Sequence, residues 1–508
     1  MSSFFAKTDK LPQKNWLAVF GLLFFLSPTI SQASSPRLES VTCSFTIPQG
    51  STAKCWILHV PENRSNPNSP EISLPVALLS TPDQKEFPDP ILYLDGGPGY
   101  SANLTREDIY DWWDWIELTT WNRKRDLLLL DQRGTKAANP ALYCPDFFDG
   151  KMEQLAANGL PLKQWKEMLR KLAGQCQQQL QAAHIDLAAY NSLESAADIA
   201  DLLRLIGIQQ VNIYGISYGT KLALTFMRDY PQYIRSVILD SVYPPEVDSF
   251  VDAPAAASHA FHRLFRDCRA DDTCNRRYPD LKKQFLQLYQ QLEKKTIQIE
   301  VEKDGLKETR YIIVTPQTLV LMIFQGLYDT ANIRKLPRLI YQLSHGEEQL
   351  ALSFIQDLLA SEGTQFSYGM YFSFECGEEY PSTDFNRQKI EIDRYKPYSL
   401  AVADYYDLNI VCPFWHSANS QAALNSPVYS SIPTLILSGS YDPITPLNAA
   451  KLTASRLENS YFFEFPDVGH GVVASNNCAD IIAGVFLDQP SLYPIHPCLG
   501  DLERPDFR

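Results

Sequence analysis

Val211-Asn212-Ile213-Tyr214-Gly215-Ile216-Ser217-Tyr218-Gly219-Thr220-Lys221 is the stretch on which the reading of this chain turns. Val211 to Tyr214 predicts a short buried strand, and Lys221 to Arg228 predicts a helix. Ser217 therefore stands on a strand-to-helix turn tight enough to push its hydroxyl out above a sheet. Gly215 and Gly219 flank it because a side chain at either position would clash with the turn. The helix that follows aims its unbonded N–H groups and the positive end of its dipole at the same point. Such a turn presents a nucleophile and offers an oxyanion a place to sit.

Two downstream residues complete the chemistry. Pro433 to Gly439 reads as a buried strand ending in a turn that carries Asp442, with Pro443 and Pro446 behind it. Tyr461 to Phe465 reads as the next strand and runs out into Asp467-Val468-Gly469-His470-Gly471. A serine hydroxyl is a weak nucleophile unless a base takes its proton. Imidazole can take that proton and return it to the leaving group, and a carboxylate fixes the imidazole tautomer. Serine, then aspartate, then histidine is the chain order of the α/β-hydrolase fold. Ser217, Asp442 and His470 are the candidate catalytic residues. Asp442 directly follows a strand and is preferred as the acid, with Asp467 as its rival. His259 and His262, spaced i and i+3, have no evident third ligand and read as a helix face. No metal or cofactor is expected.

The chain has 508 residues and a net charge of −14. That length accommodates a hydrolase core and a large second module. Residues 1–33 read as a signal peptide. Lys7, Lys10 and Lys14 precede the apolar run Trp16 to Leu26, and Ser31 and Ala33 make a small-residue cleavage site. The apolar run is too short to span a bilayer comfortably, and no later stretch is long and apolar enough to cross one. Removing this leader takes away three lysines and one aspartate, which leaves the exported chain more acidic still. An acidic surface disfavours nucleic acid or an anionic membrane as partner. All ten cysteines lie beyond the leader: Cys43, Cys55, Cys144, Cys176, Cys268, Cys274, Cys376, Cys412, Cys478 and Cys498. An even number in an exported chain, with no CxxC pair, favours disulfides over metal. Connectivity does not follow from sequence. Pairing each cysteine with its neighbour gives five short loops, of which Cys43–Cys55 and Cys268–Cys274 are singled out.

After the leader, strand-like and helix-like runs alternate. Strands are expected at Cys55 to Val60, Ile72 to Leu79, Pro90 to Leu94, Asp126 to Leu130, Val211 to Tyr214, Arg235 to Leu239, Thr434 to Leu437 and Tyr461 to Phe465. Several are continuously apolar, as in a parallel sheet covered on both faces. Helices are expected at Leu162 to Gln181, Leu447 to Leu457 and Ser192 to Leu205, the last starting at Ser192. Residues 34–246 form the first part of the core and residues 428–508 its C-terminal part. Between them, 247–427 loses the strand rhythm and reads as an inserted, mainly helical cap with one hairpin, Ile297 to Val301 and Tyr311 to Val314 around Asp304-Gly305.

An ordered series of motifs resembles the proline iminopeptidase family, and within it the secreted tripeptidyl-aminopeptidase-like branch. The series runs Leu94-Asp95-Gly96-Gly97-Pro98-Gly99-Tyr100-Ser101, Asp131-Gln132-Arg133-Gly134-Thr135, Tyr214 to Thr220, Leu239-Asp240-Ser241-Val242, Cys268 with Cys274, and Phe374-Glu375-Cys376. It ends with Leu437 to Pro446, Gly469-His470-Gly471, and Cys478 with Cys498. The resemblance covers nearly the whole exported chain. It implies an α/β-hydrolase with Ser217 as nucleophile, Asp442 as orienting acid and His470 as base. The Gly96 to Gly99 turn would supply one oxyanion N–H, that of Gly97, and Tyr218 the other. Asp131 to Gly134 reads as scaffold. Two residues depart from the family pattern, since many iminopeptidases carry His at the position of Asp95 and Trp at that of Tyr218. The departures leave backbone donors intact but put selectivity for an N-terminal proline in doubt.

An enzyme acting on peptide N-termini must also hold an ammonium group, and charge-assisted hydrogen bonds to carboxylates do that. Glu375, Glu378 and Glu379 flank Cys376 and are the candidates, with a solvated acidic loop as the alternative. The expected activity is an exported (periplasmic or secreted) serine exopeptidase acting on peptide substrates. A carboxylesterase or other ester or amide hydrolase is the alternative, because one triad serves both. A non-catalytic binding protein ranks third, since no member of the triad is missing.

Overall fold

The computed structural model describes residues 35–80, 87–102, 104, 109–147, 162–302, 309–360, 366–402, 408–415 and 423–507. The expected signal peptide and the Asp304-Gly305 turn lie outside the described residues. A nine-stranded sheet organises the chain in the order β1-β2-β3-β5-β4-β6-β7-β10-β11. These strands are β1 (Arg37–Val41), β2 (Thr52–Pro61), β3 (Glu71–Ser80), β4 (Ile91–Leu94), β5 (Leu127–Leu130), β6 (Val211–Ile216), β7 (Ile234–Asp240), β10 (Thr434–Gly439) and β11 (Ser460–Phe465). From β5 through β11 every neighbouring pair is parallel, and β1, β2 and β3 extend the sheet antiparallel. The parallel strands are mostly apolar because both faces are covered. Leu127 to Leu130 is buried at all four positions, as is Thr434–Gly439 at all six.

All eight expected strands form. The first strand, Arg37–Val41, was not anticipated. It sits at the sheet edge with three of five residues exposed, so it carries no run of buried apolar residues to betray it. Helix α1 (Leu162–Ala182) packs with Leu142, Tyr368 and Phe372 in a cluster that contains no strand residue, whereas α2 (Ser192–Ile206) and α3 (Tyr218–Asp229) share one buried cluster with Leu92, Leu128, Ile213 and Val237 of the sheet. The helix α2 starts at Ser192, as expected, with Asn191 as its N-cap. Asn191 accepts a hydrogen bond from the Glu194 N–H.

Between β7 and β10 come helices α4 (Ser249–Ala270), α5 (Leu281–Lys294), α6 (Pro316–Tyr328) and α7 (Tyr368–Phe374), with the hairpin β8 (Ile297–Glu302) and β9 (Thr309–Val314). This segment builds its own core from Phe261, Leu264, Phe285, Leu319, Ile323 and Leu339, all buried. Helices α8 (Leu447–Ala454) and α9 (Asn477–Asp488) complete the C-terminal part. α8 ends three residues earlier than the apolar pattern implied, where Ser455 caps it and the chain turns toward β11.

Candidate active site

The turn after β6 is built by exclusion of side chains. A Cβ on Gly219 would lie 2.0 Å from the Leu94 carbonyl oxygen, and one on Gly215 would lie 2.6 Å from that of Gly219. Only glycine fits where α3 crosses so close to β4. Ser217 pays in backbone strain, with φ 55° and ψ −123°, in a region non-glycine residues rarely occupy. A Cβ on Gly96 would come within 3.1 Å of the Ser217 Cβ, so the loop after β4 lies directly against the candidate nucleophile. The residue is only partly buried.

His470 lies at the end of the loop after β11. Its Nδ1 is 2.8 Å from Asp442 Oδ2, and both side chains are almost fully buried. Asp442 is held on its other side by the N–H groups of Ile444 and Thr445, each 2.9 Å from Oδ1. The Thr445 hydroxyl donates to Asp442 Oδ2 at 2.5 Å and sits 3.1 Å from His470 Nδ1. The imidazole stacks on the Tyr328 ring at the end of α6, 4.4 Å between centroids, while its backbone N–H donates to the Tyr328 carbonyl. Its Nε2 is buried with no hydrogen-bond partner among the described residues, Ser217 Oγ included. Asp467, the rival acid, accepts from the Asn476 amide at 3.3 Å instead.

Asp240, at the end of β7, ties the histidine loop to the serine turn. Its carbonyl accepts from the Ser217 N–H at 3.0 Å. Its carboxylate accepts from the N–H groups of Val472 and Val473 and from the Tyr214 hydroxyl. Burial pushes this carboxyl above its ordinary range. Sequence reasoning missed Thr445, Tyr328 and Asp240. The signal available for Thr445 was its spacing of three from Asp442 on a Pro-bounded turn, as in an Asx turn. Asp240 stood in the Leu239-Asp240-Ser241-Val242 motif with no role assigned, and Tyr328 carried no signal.

The Gly97 backbone has φ +109°, and its N–H has no hydrogen-bond partner among the described residues. Tyr218 is the first residue of α3, where helix geometry leaves the N–H without an internal acceptor. These are the two expected oxyanion donors.

The three glutamates follow α7 on a single wide helical turn, Glu375–Glu379, and all are buried, so this is no solvated loop. They reach the nucleophile helix directly. Phe374 packs edge-on against the Tyr218 ring, and Glu379 makes a buried ion pair with Lys221 of α3. Glu378 accepts from the Ser192 N–H at 2.5 Å and from its hydroxyl at 3.0 Å. Burial raises Glu378 to about 7, against the pull of nearby Lys221. Glu375 differs from both. Its Oε2 is buried without a hydrogen-bond partner, and burial together with the neighbouring Glu379 holds its carboxyl well above the usual range.

Arg133 donates to both oxygens of Asp198 and to the carbonyls of Glu62 and Ala189, deep in the core. His262 bonds the Ser258 carbonyl and the Lys282 ammonium. Among the described residues no cluster of three His, Cys, Asp or Glu side chains could hold a metal ion. The ten cysteines form five bridges, Cys43–Cys55, Cys144–Cys176, Cys268–Cys274, Cys376–Cys412 and Cys478–Cys498. No described helix is long and apolar enough to cross a membrane.

A family model described as alpha/beta hydrolase fold matches residues 89–476. Serine protease Hip1 of Mycobacterium tuberculosis is 23% identical over 485 residues, covering 90% of this chain and 88% of that protein. A tripeptidyl aminopeptidase of Streptomyces lividans is 22% identical over 444 residues, covering 84% and 79%.

Proposed function

This chain belongs to the α/β-hydrolase fold family, and from that premise we propose that it is an exported serine peptidase removing short units from peptide N-termini. The observation that carries the reading is the hydrogen-bonded Asp442–His470 pair, whose loop Asp240 ties to the turn that holds Ser217 at φ 55°. In this reading His470 takes the Ser217 proton, and Ser217 Oγ attacks the scissile carbonyl carbon. The resulting oxyanion is held by the N–H groups of Gly97 and Tyr218. The proton then passes from His470 to the leaving amine, and water repeats the sequence on the acyl-enzyme.

Specificity for a free N-terminus rests on Glu375. Glu378 and Glu379 are already engaged with Ser192 and Lys221, whereas Glu375 keeps an unpartnered buried oxygen one residue from Phe374. An ammonium arriving there would ionise the carboxyl and form a charge-assisted hydrogen bond. The segment between β7 and β10 acts as a cap that brings this anchor to the site. The similarity to a protein named tripeptidyl aminopeptidase supports the substrate class. Five bridges fit folding in an oxidising compartment, and cleavage after Ala33 would release the enzyme there.

Fluorogenic peptides with free and acetylated N-termini, assayed beside short nitrophenyl esters, test the reading. Free peptides should be cleaved much faster than acetylated ones. Glu375→Gln should lose most of that preference and leave ester turnover nearly intact. Equal cleavage of free and acetylated peptides would favour an esterase or endopeptidase instead. Ser217→Ala should abolish every activity.

A further inference from the structure

Asp95 occupies the position before the glycine turn, where the family pattern carries histidine, and the proposed chemistry assigns it nothing. It sits at the end of β4. Its Oδ1 accepts the Gly96 N–H at 2.7 Å and the Tyr93 hydroxyl at 3.2 Å. Its Oδ2 has no hydrogen-bond partner among the described residues. The backbone of this residue is wedged against α3, since a Cβ on Gly219 would meet the Asp95 carbonyl oxygen at 2.9 Å. This backbone, and the turn that follows it, therefore lie against the start of α3.

We propose that Asp95 is a positioning residue of the oxyanion turn, drawing the Gly96 N–H inward so that the next N–H, that of Gly97, is the one the turn presents. The inference rests on the hydrolase reading above. Its physical basis is directional. Two successive N–H groups in a glycine turn compete to face the cleft, and a carboxylate acceptor 2.7 Å from the first removes that competition. The Gly97 N–H is left without a partner, ready for a developing negative charge. Tyr93, which anchors the same carboxylate oxygen, is itself fixed in a cage of Trp112, Trp115 and Tyr214.

The carboxylate holds the Gly96 N–H most strongly when ionised, and its surroundings oppose ionisation. Burial first, and then the Asp131 charge, push Asp95 up to about 6, while the Gly96 N–H and Tyr93 hydroxyl pull the other way. The titratable groups around it are Tyr93 on β4, Tyr214 on β6, Asp240 on β7, Asp131 after β5 and Tyr328 on α6. Among the described residues no cationic side chain pairs with Asp95. The folded carboxyl thus binds its proton more tightly than in an unfolded chain. Its ionisation costs stability, and that cost appears as pH rises through about 6. Asp95→Asn should then be at least as stable as the wild type at pH 8, the opposite of what a structural prop would give.

The rate at which a fluorophosphonate labels Ser217, measured from pH 4.5 to 8.5, reads the oxyanion site without assuming a peptide or ester substrate. In the wild type the rate should step down as pH falls through about 6, because a protonated carboxyl accepts from the Gly96 N–H less strongly than a carboxylate does. In Asp95→Asn that step should be absent, because the amide is a neutral acceptor that does not titrate. Asp95→Ala should label about tenfold more slowly or worse at pH 8, a fraction of the loss of a full oxyanion donor, and Asp95→Asn should recover most of that rate. An Asp95→Ala variant that labels at the wild-type rate, or an Asp95→Asn variant that keeps the step near pH 6, would overturn the inference alone. Failure of the wild type to label at all would overturn the hydrolase reading and this inference with it.

Discussion

At the scale of single residues, the site is decided by which groups have a hydrogen bond left to give. Asp442 is chosen over Asp467 because it alone reaches the imidazole, at 2.8 Å, while Asp467 is engaged by Asn476. Asp442→Asn should therefore lower kcat by about 10⁴-fold by permitting the wrong tautomer, and Asp467→Asn should leave kcat close to wild type. Steady-state kinetics of both variants on one substrate decides the matter. Thr445 deserves its own variant. Its hydroxyl touches both Asp442 and His470, and a hydrogen bond to a charged group contributes about 1.5–3 kcal/mol. Thr445→Val should then reduce kcat by roughly tenfold or more with KM little changed. A change in KM alone would mean that the hydroxyl serves substrate binding rather than the acid–base pair.

At the scale of elements, the turn Glu375–Glu379 is fastened to the nucleophile helix by charge. Lys221 of α3 is fully buried, with Glu379 as its ion-pair partner and Glu378 3.9 Å away. Breaking such a pair on one side leaves an uncompensated charge, at a typical cost of about 3–5 kcal/mol. Lys221→Met should show that loss in urea unfolding. Lys221→Met combined with Glu379→Gln should restore part of it, and a double variant no more stable than the single would refute the coupling. Glu378 adds a pH dependence with a definite sign. Its folded value of about 7 exceeds the ordinary 4.5, so its contribution to stability is complete below about 4.5 and is lost as pH rises toward 7. Thermal unfolding of Glu378→Gln from pH 4 to 8 should lack that decline while the wild type retains it.

At the scale of the whole molecule, five covalent loops of 6 to 36 residues staple a core built mostly from a nine-stranded sheet. Thiol titration of the denatured, unreduced protein should find essentially no free thiol. Replacing both Cys376 and Cys412 by alanine should cost roughly 3–4 kcal/mol on the chain-entropy estimate for its loop. Because Cys376 lies within the turn of buried glutamates, KM for free-N-terminus peptides should rise while ester hydrolysis changes less. Much of this architecture was legible beforehand. Strand positions, the serine elbow and the sequence Ser217, Asp442, His470 follow from local demands: a crossing that admits only glycine, apolar runs that need cover, and strands that end in turns. Such requirements act within a few residues and leave their mark on neighbours in the chain. What the sequence alone left open depends on partners far apart along it. Lys221 and Glu379 are separated by 158 residues, and Ser192 and Glu378 by 186. Neither pairing has a periodicity or spacing to announce it. Three adjacent glutamates look equivalent on paper. Only the packing of the inserted segment against α2 and α3 engages two of them and leaves the third, Glu375, buried with an oxygen unsatisfied, because a carboxylate's role is set by the donors that surround it in space.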